Sequence, residues 1–252
     1  MKFSVCLDSF GWGDNPEGGF RIIRKAGMSH YEFWSWWDKD VEQLAEFQRK
    51  YGISPAAFCT RYFSLSDRSR HPLYLEGLRE SIAVARKLGC GMLITQVGDQ
   101  LPDVPRERQV EAVIQGLSAC VPLLEESGIT LLFEPLNTKR DHGGYLLSGS
   151  GEADAIAQAV GSPWVKVLFD FYHQQIMEGD VIQNSIGMLD RIGHFHCAGN
   201  PGRHELDTGE LSYEGIFRAL EQAGYKGYIG LEYVPTRDVC GELTRLQTRF
   251  GG

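Results

Sequence analysis

The feature that most constrains this chain is an end-to-end alternation of short β-prone runs with stretches of helical periodicity. KFSVCLD reads as a strand, and Pro16 with the amphipathic FRIIRKAG as a helix ending at Gly27. HYEFWSWW is a second strand, followed by helix DVEQLAEFQRKYG with Asp40 as its cap and Gly52 as its stop. ISPAAFCTRYF is a third strand, in which Pro55 weakens the first residues. LYLEGLRESIAVARKLG places Leu75, Leu78, Ile82, Ala85 and Leu88 at helical spacing. Strand GMLITQV, helix RQVEAVIQGLSACVPLLEESG and strand ITLLFEPLN follow. Residues 138–150, TKRDHGGYLLSGS, are polar and glycine-rich and read as an enlarged loop or hairpin. Helix GEADAIAQAVG, strand VKVLFD, helix DVIQNSIGMLD, strand IGHFHCAG and the polar loop NPGRHELDTGELS come next. YEGIFRALEQAGY, GYIGLEYVP and a C-terminal helix over Leu243–Arg249 complete the series.

That makes eight strand–helix units in 252 residues, roughly 31 residues each. Strict alternation implies a parallel sheet with helices outside it, and eight units predict a closed (β/α)₈ barrel. No linker interrupts the pattern, so residues 1–252 are expected to form a single domain. An open doubly wound sheet is the alternative, but no glycine-rich phosphate loop follows the first strand to support it.

Composition narrows the function classes. A net charge of −8 and the lack of any basic stripe argue against nucleic acid as a partner. No apolar run approaches the roughly 18 residues that would cross a bilayer. MKFSVCLDSF has no signal-peptide layout, because Asp8 follows a very short apolar run. The six cysteines show no C-x-x-C spacing and are expected to be reduced thiols in a cytoplasmic protein.

Four of the apolar strands end on a charged or imidazole side chain. ITLLFEPLN ends on Glu134, VKVLFD on Asp170, IGHFHCAG on His194 and His196, and GYIGLEYVP on Glu232. Residues 134, 170, 196 and 232 are each about one unit apart, which places them on consecutive strands 5–8 at the end where barrel enzymes carry their sites. A buried unpaired carboxylate costs several kcal/mol, so such tips need a cation, donors or water. Three carboxylates and one imidazole suit Mg²⁺ or Mn²⁺. Such an ion can polarise a hydroxy-carbonyl compound while one glutamate removes a proton and the other returns it. The metal-free reading is a network with Arg203 or Lys139. His194 reads as a packed or supporting histidine, and Cys197 points to the opposite face of its strand. Phe33, Trp34, Trp36 and Trp37 read either as core and helix-packing surface or as an apolar wall of the pocket.

FEPLN, LFDFYHQQIMEGD, IGHFHCAGNPGRHELDTGELSYEGIF and GYIGLEY closely resemble hydroxypyruvate isomerases, within the xylose isomerase-like sugar isomerase and epimerase superfamily. The resemblance is dense over residues 129–236 and looser before them. It implies a TIM barrel with Glu134, Asp170, His196 and Glu232 as the metal site, and Glu134 and Glu232 as the acid–base pair. It also implies that His173 and Arg203 bind substrate oxygens, and it leaves a homo-oligomer open. Hydroxypyruvate isomerases commonly read H-x-Q-x-A-D where this chain has His194-Phe195-His196-Cys197-Ala198-Gly199. A histidine at 196 resembles the ketose 3-epimerases of the same superfamily. CTRYFSLSDRSRH, after strand 3, also departs from the usual hydroxypyruvate isomerase loop.

The leading expectation is a metal-assisted isomerase of hydroxypyruvate or tartronate semialdehyde, with Arg203, and Lys139 or Arg140, holding the substrate carboxylate. A ketose 3-epimerase and a non-catalytic sugar-binding barrel are the alternatives.

Overall fold

The computed structural model describes residues 1–251. Its eight parallel strands close on themselves in chain order: β1 (Lys2–Cys6), β2 (His30–Phe33), β3 (Ser54–Cys59), β4 (Met92–Thr95), β5 (Thr130–Phe133), β6 (Val165–Asp170), β7 (Ile192–Cys197) and β8 (Tyr228–Leu231). β8 pairs with β1, so the sheet has no free edge. Around it run α1 (Pro16–Lys25), α2 (Val41–Tyr51), α3 (His71–Leu88), α4 (Arg106–Ser127), α5 (Ser150–Val160), α6 (Phe171–Met177), α7 (Val181–Gly187), α8 (Tyr213–Gln222) and α9 (Val239–Phe250). This is the (β/α)₈ architecture that the alternation predicts.

The helix boundaries follow local chemistry. Asp40 caps α2 by accepting from the Gln43 backbone N–H at 3.0 Å, and Gly52 ends the helix at φ 63°. Several strands are shorter than the runs that signal them, β2 and β3 among them. β2 ends at Phe33, and the next N–H, that of Trp34, donates to the Asp8 carboxylate at 2.8 Å rather than to a strand carbonyl. β3 stops at Cys59, and the following residues form the rim. α6 is absent from the sequence reading: Asp170 ends β6 and at once caps this helix, accepting from the Tyr172 and His173 N–H groups at 2.7 and 3.3 Å.

Two apolar compartments hold the barrel. The larger lies between strands and helices and is rich in buried aromatics, including Phe20, Phe33, Phe58 and Phe195. The smaller contains Ala57, Ile94, Leu132 and Leu168, contributed by β3–β6. Inward-facing layers of this kind make the centre of such a barrel a packed core and leave the strand ends for chemistry. No helix among the described residues is long and apolar enough to cross a membrane.

Candidate active site

Glu134 directly follows β5, Asp170 ends β6, His196 lies near the end of β7, and Glu232 directly follows β8. One ligand atom from each lies within 4.8 Å of all the others, and all four residues are buried. His196 Nδ1 is 3.4 Å from Glu232 Oε2 and 3.9 Å from Glu134 Oε1. Glu134 Oε1, Asp170 Oδ2 and His196 Nδ1 are buried with no hydrogen-bond partner. Leaving such atoms unpaired costs about 1–3 kcal/mol each, more for charged groups. A hard divalent cation would satisfy all three at once, so the donor set fits Mg²⁺ or Mn²⁺.

The electrostatics are those of crowded carboxylates. Burial raises the Glu134 carboxyl well above the usual range; His196 opposes this, while Glu232 and Asp170 reinforce it. Burial pushes Glu232 the same way, but Arg203 and His196 outweigh it and hold that carboxyl well below its ordinary value. Burial would lower His196, yet Glu232 and Glu32 raise its imidazole well above the usual histidine range.

The loop after β7 brings in Arg203, held at φ 57°, a left-handed conformation rare outside glycine. Its guanidinium stacks over the Tyr172 ring at 5.1 Å, donates to Glu232 Oε2 at 2.5 Å and lies 4.0 Å from Asp170. His173, on α6, accepts at Nδ1 from the Asn137 backbone N–H at 3.3 Å. A backbone N–H can only donate, so the neutral ring carries its proton on Nε2. That Nε2 has no partner, and His173 lines the cavity. Burial lowers the His173 pKa to about 4, against the pull of Asp170, which keeps the ring neutral at pH 7.

The cavity above these groups encloses about 540 Å³. Trp34, Trp37 and Tyr62 stand at its wall, with Thr60, Gln96 and His142 among its polar lining. The aromatic run after β2 therefore divides: Phe33, Trp34 and Trp37 line the cavity, while the Trp36 indole donates to Ser81 on α3 at 3.1 Å. Trp34 also donates from Nε1 to Glu232 Oε1 at 2.6 Å. Lys139 and Arg140 do not reach the cavity. Lys139 Nζ donates to the Ile176 and Met177 carbonyls at 2.9 and 3.2 Å, where the exposed C=O groups at the end of α6 attract a cation, and Arg140 is exposed. Of the three cations expected near a substrate carboxylate, Arg203 alone lines the cavity.

Sequence reasoning missed Glu32, on β2. It is 2% exposed and hydrogen-bonded to both His194 and His196. The available signal was a charge in the middle of HYEF, alternating with Tyr31 and Phe33.

Fold and site together define a (β/α)₈ barrel carrying a cation-competent cluster of three carboxylates and one imidazole at the C-terminal ends of its strands. The chain belongs to the xylose isomerase-like TIM barrel family, whose model matches residues 20–247. It is 39% identical over 149 residues to a 2-oxo-tetronate isomerase of Cupriavidus necator, covering 59% of this chain and 57% of that protein. It is 32% identical over 166 residues to the hydroxypyruvate isomerase of Escherichia coli, covering 66% and 64%. The matched segment thus spans less than two thirds of either relative. In three dimensions it is similar to a Brucella melitensis protein solved as an AP endonuclease of family 2, with TM-score 0.91, 28% identity and 99% of each chain covered.

Proposed function

We propose that this chain is a metal-assisted isomerase of small hydroxy-keto acids, interconverting hydroxypyruvate and tartronate semialdehyde, or a close analogue, through an enediolate. The observation that carries this reading is the convergence of three unpartnered ligand atoms, on Glu134, Asp170 and His196, beside Glu232. A divalent cation held there would polarise the substrate carbonyl and draw its neighbouring oxygens together. In this reading Glu134 and Glu232, from different strands, take a proton from one carbon and return it to the next. The His173 Nε2–H donates to a substrate oxygen, and Arg203 is the anchor for a carboxylate. Trp34 and Trp37 shield the reacting carbons from water. The names of the two curated relatives support a hydroxy-keto acid as the substrate class.

The cavity supports a second reading. Its roughly 540 Å³ is more room than a three-carbon acid fills, which favours a longer ketose and a 3-epimerase built on the same enediolate chemistry.

Proton exchange in D₂O, followed by NMR with Mg²⁺ or Mn²⁺ added and then chelated, tests both. Metal-dependent deuterium uptake into hydroxypyruvate or tartronate semialdehyde is the expected result. Uptake confined to C3 of a tetrulose or hexulose would select the epimerase, and none in any compound, with metal bound, would overturn both readings.

A further inference from the structure

Beneath the proposed metal site, the barrel interior holds a second group of buried polar residues. Ser4 on β1, His196 on β7 and Gly230 on β8 stand in one row, because the strand register pairs Ser4 with Gly230 and Gly230 with His196. Glu32 reaches into this row from β2. Its Oε2 accepts from His196 Nε2 at 2.8 Å, and its Oε1 from His194 Nε2 at 2.9 Å and from the Ser4 hydroxyl. Glu32, Ser4, His194 and His196 are all 3% exposed or less.

With three donors converging on its two oxygens, Glu32 is the acceptor of this group, so Nε2 of His196 carries a proton. The ring nitrogen left to meet a cation, in exchange for any proton on it, is then Nδ1, the atom that lies among Glu134, Glu232 and Asp170 without a partner. Gly230 makes this possible. A Cβ on it would come within 2.5 Å of His196 Cδ2 and 2.8 Å of Glu32 Oε1, between the two groups that must touch. Glu32, His194 and His196 also satisfy the spacing for an ion of their own. Each imidazole Nε2–H, however, already donates to its own oxygen of Glu32, so neither carboxylate oxygen is free for an ion unless those hydrogen bonds break.

We propose that Glu32 is a positioning residue: it fixes the tautomer and ring orientation of His196 so that Nδ1 is presented to the metal, with Gly230 as the space that lets the pair close. The inference rests on the metal-site reading above. Carboxylate partners of ligating histidines typically change metal affinity by about 10–100-fold when removed.

The test is Co²⁺ titration of the full chain, read by visible absorption, together with ¹⁵N NMR of the histidine rings in the Mg²⁺-loaded protein. The parent is expected to bind one ion, with His196 protonated at Nε2. Glu32→Gln removes the charge and leaves one acceptor oxygen where two ring N–H groups each need one; the expected result is Co²⁺ affinity lower by about 10–100-fold and a shifted His196 ¹⁵N pattern. Gly230→Ala keeps every charge and is expected to weaken Co²⁺ binding similarly by parting the pair, so it serves if Glu32→Gln fails to fold. Glu32→Asp keeps the charge but shortens the reach, and its loss should be intermediate. Unchanged Co²⁺ affinity and ring ¹⁵N shifts in folded Glu32→Gln and Gly230→Ala would overturn the proposal. So would two ions per chain in the parent, since an ion on Glu32 would displace the hydrogen bonds. If the parent binds no divalent cation, the metal-site reading itself fails. If Asp170→Asn abolishes binding while Glu32→Gln leaves it intact, only the positioning role fails.

Discussion

On β3–β6 the barrel interior is filled by Ala57, Ile94, Leu132 and Leu168, whereas the arc formed by β7, β8, β1 and β2 carries His194, His196, Gly230, Ser4 and Glu32. The first arc contributes by volume: its side chains have nothing to orient and gain free energy by leaving water. The second buries a carboxylate and two imidazoles that are tolerable only because each N–H meets an oxygen. The four strand tips straddle this division. Glu134 and Asp170 emerge above the apolar arc, His196 and Glu232 above the polar one. Volume packing and hydrogen-bonded orientation are thus concentrated on different sides of one barrel, and substitutions should separate them.

The largest effect should come from the tips. Glu134→Gln or Glu232→Gln is expected to reduce metal-dependent proton exchange by about 10²–10⁴-fold, measured by NMR in D₂O, while the folded state persists. Loss of folding in step with loss of exchange would erase the distinction between scaffold and site.

Next is a pure volume change in the apolar arc. Leu168→Ala is expected to cost about 2–5 kcal/mol in urea unfolding. Its Co²⁺ affinity under native conditions should match the parent. A drop in affinity like that expected for Glu32→Gln would break the comparison, because it would mean that both arcs position the ligands.

The same division explains what the sequence revealed. Glycine and aspartate caps, such as Gly52 and Asp40, and strand-length apolar runs are local signals, and they mark the alternation from which a barrel follows. The cluster of four strand tips was legible because Glu134, Asp170, His196 and Glu232 each sit at the end of an apolar run. Glu32 was not, since its partners lie 162 and 164 residues away and meet it only when β8 closes on β1. The role of Gly230 is likewise invisible without strand register. Lys139 was misplaced because one-dimensional proximity to Glu134 says nothing about which way a loop side chain turns; the carbonyls ending α6 drew it away. Trp34 and Trp36 share composition and neighbourhood, and only the turn after β2 separates their roles.

His173 provides a pH test of burial at the rim. Its folded pKa is near 4 against about 6.5 for an exposed imidazole, so the folded state binds fewer protons between those values. The stabilisation is therefore present above about pH 6.5 and is lost as pH falls toward 4, amounting to no more than about 3 kcal/mol. Urea unfolding of the parent and of His173→Gln should diverge in that window, with the parent falling more steeply as acid is added. Parallel profiles would show that the ring titrates normally and is not the neutral donor proposed for it.

The smallest expected effect concerns the two tryptophans. Trp34 is 46% exposed, yet its indole N–H donates to Glu232 at 2.6 Å, and its backbone N–H is held by Asp8, which also pairs with Lys39 at 2.8 Å. The loop after β2 is thereby anchored at one end by a largely buried ion pair and at the other by a proposed metal ligand. A hydrogen bond to a charged group contributes about 1.5–3 kcal/mol, and partial exposure places this one at the low end. Trp34→Phe keeps the aromatic wall and removes only the N–H, so Co²⁺ affinity or the exchange rate should fall about 10-fold with little change in thermal stability. Trp36→Phe removes the donor to Ser81, a contact with α3 rather than with the site, and should lower stability slightly while leaving Co²⁺ affinity unchanged. The reverse pattern would mean that the loop after β2 is attached to the site through α3, and that the polar arc does not extend onto the rim.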